Sequence, residues 1–168
     1  YHLDLVRPGL YLFGGGRGHP LGPLPDPEPV ASIRARVLEV RELPPGSTVS
    51  YGATYTTAGA ERVATVGFGY ADGLSWTRSS GGHVLIGGER APIRGRVCMD
   101  VIAVDVTGVS RVQSGDVVTV LGEDGAEAIE LRDLAGRGGT IEYEVLTGLG
   151  GRVARVQVRS EPPPGENH

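Results

Sequence analysis

The sequence predicts an all-β domain, barrel-like or sandwich in architecture, with one or two short helices. Apolar residues recur as short, strand-length segments along most of the 168 residues. Glycine contributes 28 residues and proline 12, which indicates many turns and short elements rather than long helices. Short strands at close spacing are typical of sandwiches and barrels.

The amino-terminal region is predicted to be separate from this β domain. A short apolar strand, Leu3 to Val6, comes first. Five prolines between residues 20 and 29 then indicate a linker, because proline lacks a backbone donor and disfavours both helix and sheet pairing. We therefore expect a terminal segment at 1–22, a β domain at 23–160 and a disordered tail at 161–168.

Seven stretches after the linker are predicted strands. Some alternate apolar and polar residues, as half-buried strands do, and others are continuous apolar runs, as buried strands are. The two that flank Gly87-Gly88 are predicted to form a hairpin, since glycine adopts the positive φ of a tight turn. The predicted strands are Ile33–Val40, Val63–Phe68, His83–Ile86, Glu89–Ile93, Ile102–Val106, Val117–Leu121 and Val153–Val158.

Two short helices are predicted towards the carboxyl end of the domain. The first covers about Glu127 to Ala135, and the second about Ile141 to Leu149. In the second, Ile141, Val145 and Leu149 would share one apolar face.

The composition excludes several classes of function. The net charge is −4, so the chain offers no basic surface for nucleic acid or for an anionic membrane. No apolar stretch approaches the ~18 residues of a membrane span, and no charged segment followed by an apolar one marks a signal peptide. A cytoplasmic location is the expectation, and the single Cys98 provides no internal disulfide framework.

Two absences bear on the chemistry. The chain begins at Tyr1 and its only methionine is Met99, so we expect it to be part of a longer polypeptide. It has no lysine, and its 16 basic residues other than histidine are all arginine. A metal site is not expected either, since Cys98 and His83 form the only candidate pair and such a site needs three or four ligands.

Five short segments, taken together and in order, carry a family resemblance. They are Val6-Arg7-Pro8-Gly9-Leu10, Val49-Ser50-Tyr51-Gly52-Ala53-Thr54-Tyr55, Gly69-Tyr70-Ala71-Asp72-Gly73, Gly95-Arg96-Val97-Cys98-Met99-Asp100 and Thr140-Ile141-Glu142-Tyr143-Glu144. Each is weak evidence alone. Their order and spacing, over about Leu3 to Val158, resemble the carboxyl-terminal part of bacterial alanine racemases.

The resemblance implies a pyridoxal-phosphate enzyme that is divided between two domains. The family has an amino-terminal (β/α)8 barrel, which carries the lysine that holds the cofactor as a Schiff base, and a carboxyl-terminal β domain. Two chains pack head to tail as a homodimer, so each active site takes its barrel from one chain and its β domain from the other. Residues 1–22 would be the last barrel strand and its loop. Because this chain has no lysine, we expect it to be inactive alone.

Tyr51 is implied to be the catalytic residue. Racemisation removes a proton from one face of Cα and returns one to the other, which two acid/base groups on opposite faces can do. In the family the barrel lysine serves the D-alanine face, and a tyrosine of the partner chain serves the L-alanine face. A phenol ordinarily has a pKa near ~10, so barrel groups would have to stabilise its anion. Without the resemblance, Tyr51 would be interpreted as a buried tyrosine that packs a strand end.

Four residues are implied to bind the cofactor. Arg7 would donate to the pyridine nitrogen, and a guanidinium, which stays charged, can only donate there. Gly9 and Leu10 would offer backbone N–H groups to the phosphate. Tyr143 would donate its hydroxyl to the same phosphate.

The remaining implied residues contact or surround the substrate. Met99 would bind the substrate carboxylate through its backbone N–H, and Tyr70 would narrow the entrance so that only a small side chain is admitted. Arg96, Asp100 and Ile141 would line the entryway. Outside the resemblance, Arg96 and Asp100 would form a surface ion pair of little energetic value.

The resemblance implies a parent enzyme that interconverts L-alanine and D-alanine and supplies D-alanine for peptidoglycan. The chain departs from the family at Leu74-Ser75-Trp76 and at Val101, both near the entryway. A racemase for another small amino acid, such as serine, is therefore a second interpretation. A third is a non-catalytic β module that serves interaction; the joint presence of Arg7, Tyr51 and Tyr143 favours the enzyme.

Overall fold

The fold is a ring of antiparallel strands with a hairpin and two short helices attached. The computed structural model describes residues 4–5, 7, 9–17, 25–79 and 81–158. Its strands are β1 (Ile33–Leu43), β2 (Thr48–Val49), β3 (Tyr55–Thr56), β4 (Glu61–Val66), β5 (His83–Ile86), β6 (Glu89–Arg94), β7 (Ile102–Asp105), β8 (Val117–Asp124) and β9 (Glu127–Ile129). Its α-helices are α1 (Leu131–Gly138) and α2 (Glu142–Thr147), and its 3-10 helices are Leu10–Phe13, Tyr51–Ala53, Tyr70–Asp72 and Trp76–Ser79.

Six of the strands close on themselves. Their hydrogen-bonded order is β1-β4-β7-β6-β5-β8, and β8 pairs again with β1. The 11-residue β1 makes closure possible because its first part pairs with β8 and its later part with β4. Its register shifts between Val37 and Glu39, and such a bulge bends a strand. The predicted all-β fold is confirmed, and of the two predicted architectures the barrel-like one is present.

The core lies inside this ring, where the alternating side chains of each strand point inward. Val37, Val66, Ile102 and Val104 are each exposed by 1% or less. On β1 the buried positions are every second residue from Ile33 to Val37, as the period of a strand requires. Burial of apolar area at roughly 25 cal/mol per Å² is the main force that holds these strands together.

Several predicted strands are confirmed, with modest changes at their ends. The hairpin is present as predicted, with β5 and β6 joined by Gly87 (φ +60) and Gly88 (φ +81). β8 extends three residues beyond the predicted Leu121. Its extension pairs with β9, and Gly122 there has a φ of +104, which favours glycine.

The first predicted helix was wrong over its first four residues, and it runs three residues beyond the predicted end at Ala135. Glu127–Ile129 form β9, which folds back on β8 through a turn at Gly125 (φ +62), and Ile129 is buried in the core. The helix begins only at Leu131. Its start is fixed because Asp133 Oδ2 accepts a hydrogen bond from the Glu130 backbone N–H at 2.9 Å. Tertiary pairing here outweighed local helix preference.

The second predicted helix was too long, and the last predicted strand was wrong. α2 covers only Glu142–Thr147, and Ile141 is 64% exposed, so Ile141 does not share the face on which Val145 and Leu149 pack against the core. Val153–Val158 forms no strand and has no pairing partner among the described residues. An alternating pattern forms a strand only where a neighbouring strand has a free edge, and each strand of the ring already has a neighbour on both sides.

Some predictions concern residues outside the described ranges. The predicted strand Leu3–Val6 includes Leu3 and Val6, which lie outside them, as do residues 18–24 of the linker region and the tail 161–168. The domain boundaries therefore stay predictions. Within the described chain, none of the helices has both the length and the apolar character to cross a bilayer.

Candidate functional site

Five of the residues predicted to serve catalysis or the substrate lie on loops at one end of the barrel. β4, β6 and β7 are neighbouring antiparallel strands, so the segments that follow β4 and β6 and the segment that precedes β7 meet at the same end. We call this surface the loop face. It comprises Tyr51, Tyr70, Arg96, Met99 and Asp100.

Tyr51 lies at the tip of the β2–β3 hairpin and faces solvent. Its side chain is 75% exposed, which excludes the interpretation as a buried packing tyrosine. Ser50, Gly52 and Ala53 around it all have positive φ values, of 66, 74 and 46°. The turn therefore has an unusual backbone course, which projects the tyrosine away from the barrel.

The base of this hairpin is fixed to the barrel by an aromatic ring between charges. The Arg94 guanidinium lies 4.7 Å from the centroid of the Tyr55 ring and donates to Asp105 Oδ2 at 2.8 Å. The Tyr55 hydroxyl donates to Glu61 Oε1 at 2.8 Å. Burial, then this hydrogen bond, raises the pKa of Tyr55, so it stays a neutral donor. Tyr55 is therefore a structural support four residues from Tyr51.

The Tyr70 turn is attached directly to the Met99 segment. The backbone N–H groups of Tyr70 and Ala71 donate to the carbonyl oxygens of Cys98 and Met99, both at 3.0 Å. A Cβ at position 69 would overlap those same carbonyl oxygens, so Gly69 is what permits the close approach. Two residues predicted to be in the substrate site, Tyr70 and Met99, are thus held on one rigid unit.

Asp100 pairs with a residue that the sequence did not single out. Arg152 Nη2 lies 2.6 Å from Asp100 Oδ1, and Arg152 Nε lies 2.6 Å from Asp72 Oδ1. Asp72 Oδ2 in turn accepts the Gly69 N–H at 2.8 Å, which caps the Tyr70 turn. The hydrogen bond from Arg152 lowers the pKa of Asp72, against burial, which raises it, and the Gly69 N–H lowers it further.

Arg96 does not form the surface ion pair considered for it with Asp100. Its guanidinium lies 5.8 Å from the centroid of the Trp76 ring, and a Cβ at Gly52 would lie 3.1 Å from its Nη1. Arg96 therefore lies between the Tyr51 turn and the tryptophan at which the chain departs from the family pattern. Trp76 is 54% exposed and belongs to the same end of the barrel.

The predicted phosphate-binding residues come together at a second place, which we call the terminal contact (Gly9, Leu10 and Tyr143). The Tyr143 hydroxyl accepts a hydrogen bond from the Leu10 N–H at 3.1 Å. A Cβ at position 9 would lie 2.7 Å from that hydroxyl oxygen. The neighbouring Glu142 Oε2 accepts the Gly16 N–H at 2.6 Å, so α2 is joined twice to the amino-terminal segment.

Two predicted residues are not brought into either group. Arg7 is exposed and makes no hydrogen bond or ion pair with the described residues. Ile141 precedes α2 and points to solvent. A groove of about 890 Å³ runs past Phe13, Glu130 and Val156, and none of the loop-face residues lines it. Across the described ranges, no three His, Cys, Asp or Glu side chains are grouped so that they could hold a metal ion.

The comparison with known families decides what this arrangement belongs to. Residues 30–157 match the family model described as "Alanine racemase, C-terminal domain". The chain belongs to the alanine racemase family.

Curated proteins named alanine racemase match over nearly all of this chain. It is 46% identical over 153 residues to an alanine racemase of Deinococcus radiodurans, with 91% of this chain and 42% of that protein covered. It is 43% identical over 155 residues to one of Halothermothrix orenii, with 92% and 41% covered. This chain therefore spans about two fifths of the length of these curated relatives.

Solved alanine racemase structures share the fold. The Bacillus anthracis enzyme with bound L-Ala-P gives a TM-score of 0.82 at 36% identity and covers 90% of this chain and 39% of its own. The Bartonella henselae enzyme with covalently bound pyridoxal phosphate gives 0.83 at 35% identity, with 92% and 42% covered. The described barrel thus has the fold of the carboxyl-terminal part of these alanine racemase structures.

Proposed function

We propose that this chain serves pyridoxal-phosphate-dependent interconversion of L-alanine and D-alanine, and that Tyr51 is the acid/base group on the L-alanine face. The family match supports the reaction class. Relatives solved with covalently bound pyridoxal phosphate and with L-Ala-P support the cofactor and the substrate.

One observation carries the proposal: the large side chains predicted to serve catalysis are exposed together. Tyr51 is 75% exposed, Tyr70 44% and Met99 51%, although all three lie on backbone that is fixed to the barrel. Large apolar side chains that are exposed at the same end of a rigid domain are characteristic of a surface that another protein surface covers. The loop face therefore suits half of an active site, completed by a partner domain.

At this half-site the roles of the residues follow from their chemistry. Tyr51, as the phenolate, would take the Cα proton of L-alanine at Oη, and, as the phenol, it would return a proton to that face in the reverse direction. The Met99 backbone would bind the substrate carboxylate. Tyr70, beside Met99, would limit the size of the side chain admitted, and Arg96 and Asp100 would line the entryway.

The terminal contact fits a phosphate group. It brings the Leu10 N–H and the Tyr143 hydroxyl within 3.1 Å of each other, beside Gly9, where the absence of a Cβ leaves room for the hydroxyl. Backbone N–H and hydroxyl donors of this kind suit an anion. Gly9, Leu10 and Tyr143 would hold the phosphate of pyridoxal phosphate, and Arg7 would donate to its ring nitrogen. When bound, the cofactor supplies an electron-withdrawing ring that stabilises charge developing at the substrate Cα.

The assembly in which this occurs is part of the same proposal. The loop face would meet the barrel domain of the partner subunit in a head-to-tail homodimer, and the terminal contact would serve the site of its own subunit. The D-alanine would supply peptidoglycan synthesis in the cytoplasm. Ile141, exposed before α2, would line the entryway of the site in its own subunit.

A chimeric racemase tests the proposal directly. This chain replaces the matched region of the Deinococcus radiodurans relative, and racemisation of alanine and of serine is measured. We expect pyridoxal-phosphate-dependent activity on alanine that exceeds activity on serine. An inactive chimera that folds and binds the cofactor would contradict the proposal, and preference for serine would change the substrate.

Tyr51 is then tested within that chimera. Exchange of the Cα hydrogen in D₂O, followed by NMR, reports each face separately. Tyr51→Phe should slow exchange from L-alanine by about a hundredfold or more, within the range of general acid–base catalysis, and exchange from D-alanine much less. Tyr55→Phe is the matched control, since Tyr55 is a structural tyrosine of the same hairpin. Equal slowing on both faces would refute the assignment.

A further inference from the structure

We propose that Ser50 is a positioning residue for Tyr51, and that its strained backbone persists because its hydroxyl ties the Tyr51 turn to the segment that leads to Met99. This inference rests on the proposed role of Tyr51. It concerns a residue beside the base that does not itself touch the substrate.

Ser50 has an unusual backbone conformation. Its φ of 66° and ψ of 178° lie in a region that is essentially restricted to glycine. A residue with a Cβ is strained there, and a serine in a surface turn has no general reason to accept that strain. Gly52, two residues later, shows that this turn uses glycine at another position with positive φ. Such a backbone outlier motivates a search for function at this position.

In that conformation the Ser50 side chain joins the Tyr51 turn to the Arg96–Met99 segment. Ser50 Oγ donates to the Arg96 carbonyl oxygen at 2.7 Å and lies 3.3 Å from Cys98 Sγ. Gly95 makes room for it, because a Cβ at position 95 would lie 2.7 Å from the Ser50 Cβ. A serine hydroxyl is the connection between the two loops, and its position requires the unusual φ.

No hydrogen bond to a described residue holds the Tyr51 side chain in place. Its hydroxyl makes no hydrogen bond to any residue that the structure describes, and its side chain is largely exposed. Its direction is therefore set by the backbone on either side. Ser50 fixes that backbone to the Arg96–Met99 segment, so the base and the predicted carboxylate-binding N–H keep a constant separation. Displacement of a reacting group by 1 Å can cost about a hundredfold in rate.

The strain is tested in the chain itself by two variants that both remove the hydroxyl. Ser50→Ala keeps a Cβ and the strain, whereas Ser50→Gly relieves it. We expect the Tm of Ser50→Gly to exceed that of Ser50→Ala, the reverse of the usual order in a loop, where glycine costs entropy. A Tm of Ser50→Gly equal to or below that of Ser50→Ala would show that the backbone of Ser50 is not strained.

The tether is tested by the order of the turn. Backbone ¹⁵N order parameters of residues 51–54 should fall in both Ser50 variants. They should stay unchanged in Ser114→Ala, whose hydroxyl donates to the Leu38 carbonyl of β1 at the same 2.7 Å distance and not to the Arg96–Met99 segment. Unchanged order parameters in the Ser50 variants would show that the Ser50 hydroxyl does not hold the Tyr51 turn in place.

The consequence for catalysis is tested in the chimera. Both Ser50 variants should slow Cα exchange from L-alanine by about tenfold and leave exchange from D-alanine within about twofold, which loss of general stability would not do. If both faces slow equally or neither slows, the positioning role fails. If Tyr51→Phe in the same chimera leaves L-alanine exchange unaltered, it is the proposed function that fails.

Discussion

The Tyr143 hydroxyl accepts a hydrogen bond from the backbone N–H of Leu10, although 133 positions separate the two residues in the sequence. One lies at the amino-terminal segment and the other on α2, beyond the whole barrel. Both were predicted to bind the same phosphate. The contact places those donors side by side within a single chain.

Loss of the Tyr143 hydroxyl should weaken cofactor binding. In the chimera, Tyr143→Phe removes one hydrogen bond, worth about 0.5–1.5 kcal/mol, so the Kd for pyridoxal phosphate should rise roughly two- to twelvefold. Absorbance titration of the apoenzyme measures this. Tyr11→Phe is the control, because the Tyr11 hydroxyl donates to the Pro25 carbonyl at 3.0 Å and has no proposed ligand role. Equal effects of the two variants would argue against the phosphate contact.

A methyl group at position 9 should disturb the same contact sterically. The Cβ of Gly9→Ala would lie 2.7 Å from the Tyr143 hydroxyl oxygen and would push it away from Leu10. We expect weaker pyridoxal phosphate binding, by about tenfold or more since backbone and hydroxyl are both displaced. Gly108→Ala is the control, because nothing lies within 4 Å of its added Cβ and its φ is not in the left-handed region. An unchanged Kd in Gly9→Ala would show that the terminal contact does not hold the phosphate.

The Asp72–Arg152 pair predicts how stability depends on pH. The pKa of Asp72 is lowered in the folded chain, below its ordinary value of 3.8. Its stabilisation is therefore complete above that value and is lost as pH falls through the lower folded pKa. Asp72→Asn should lower the Tm at pH 6 and flatten its fall below about pH 4, where the two Tm curves should converge.

Asp116→Asn is the control for that measurement. Asp116 accepts a backbone hydrogen bond from Gln113 at 2.8 Å but has no arginine partner among the residues described. Parallel Tm curves for wild type and Asp72→Asn over the acid range would contradict the prediction. The position also matters for the loop face, because Asp72 caps the turn that carries Tyr70.

Arg78 offers a test of a buried charge that forms no ion pair with the described residues. It is 1% exposed, donates to the Asp133 carbonyl at 3.1 Å and to the His83 carbonyl at 3.5 Å, and its Nε has no partner among the described residues. Burial, and then Arg137, lowers the pKa of Arg78, while Asp133 raises it. Desolvation of an ion costs several kcal/mol, and two long hydrogen bonds to neutral carbonyl groups return only part of that cost. Arg78→Met should therefore raise the unfolding free energy by about 1 kcal/mol, while Arg78→Ala should lower it by about 2–3 kcal/mol through a cavity.

Urea unfolding followed by circular dichroism distinguishes these outcomes. Arg41→Met is the control, since Arg41 is exposed and is not among the groups that shift the pKa of Arg78, so its replacement should change stability by less than ~0.5 kcal/mol. A marked loss of stability in Arg78→Met would show that the buried guanidinium stabilises the fold.

Local signals predicted some elements well and others poorly. The β5–β6 hairpin was predictable because Gly87 and Gly88 specify its turn regardless of what surrounds it. Glu127–Ile129 was not, because its conformation depends on pairing with β8. Val153–Val158 has the alternation of a strand, but strand formation depends on an available neighbour that its own residues do not encode.

The candidate site divides in the same way. Tyr51, Tyr70 and Met99 were predicted from motifs whose order resembles a family, and the fold brings them to one end of the barrel. Arg152 was not predicted, because it carries no motif and acts through carboxylates 80 and 52 positions away. Ser50 lies inside the Val49–Tyr55 segment that carries the family resemblance. Its strain was not predicted, because strain is a property of backbone angles, which a pattern of residue types does not reveal.

The closure of the β1–β8 ring limits how this domain can associate. An open sheet offers two outer strands whose unpaired backbone groups accept any extended peptide, and that is a common route to aggregation. Each strand of the ring has a neighbour on both sides, so recognition at the loop face goes through side chains and loops. Binding of that kind depends on matching shape and charge, which makes the choice of partner selective and lets the loops change in evolution while the strand framework stays constant.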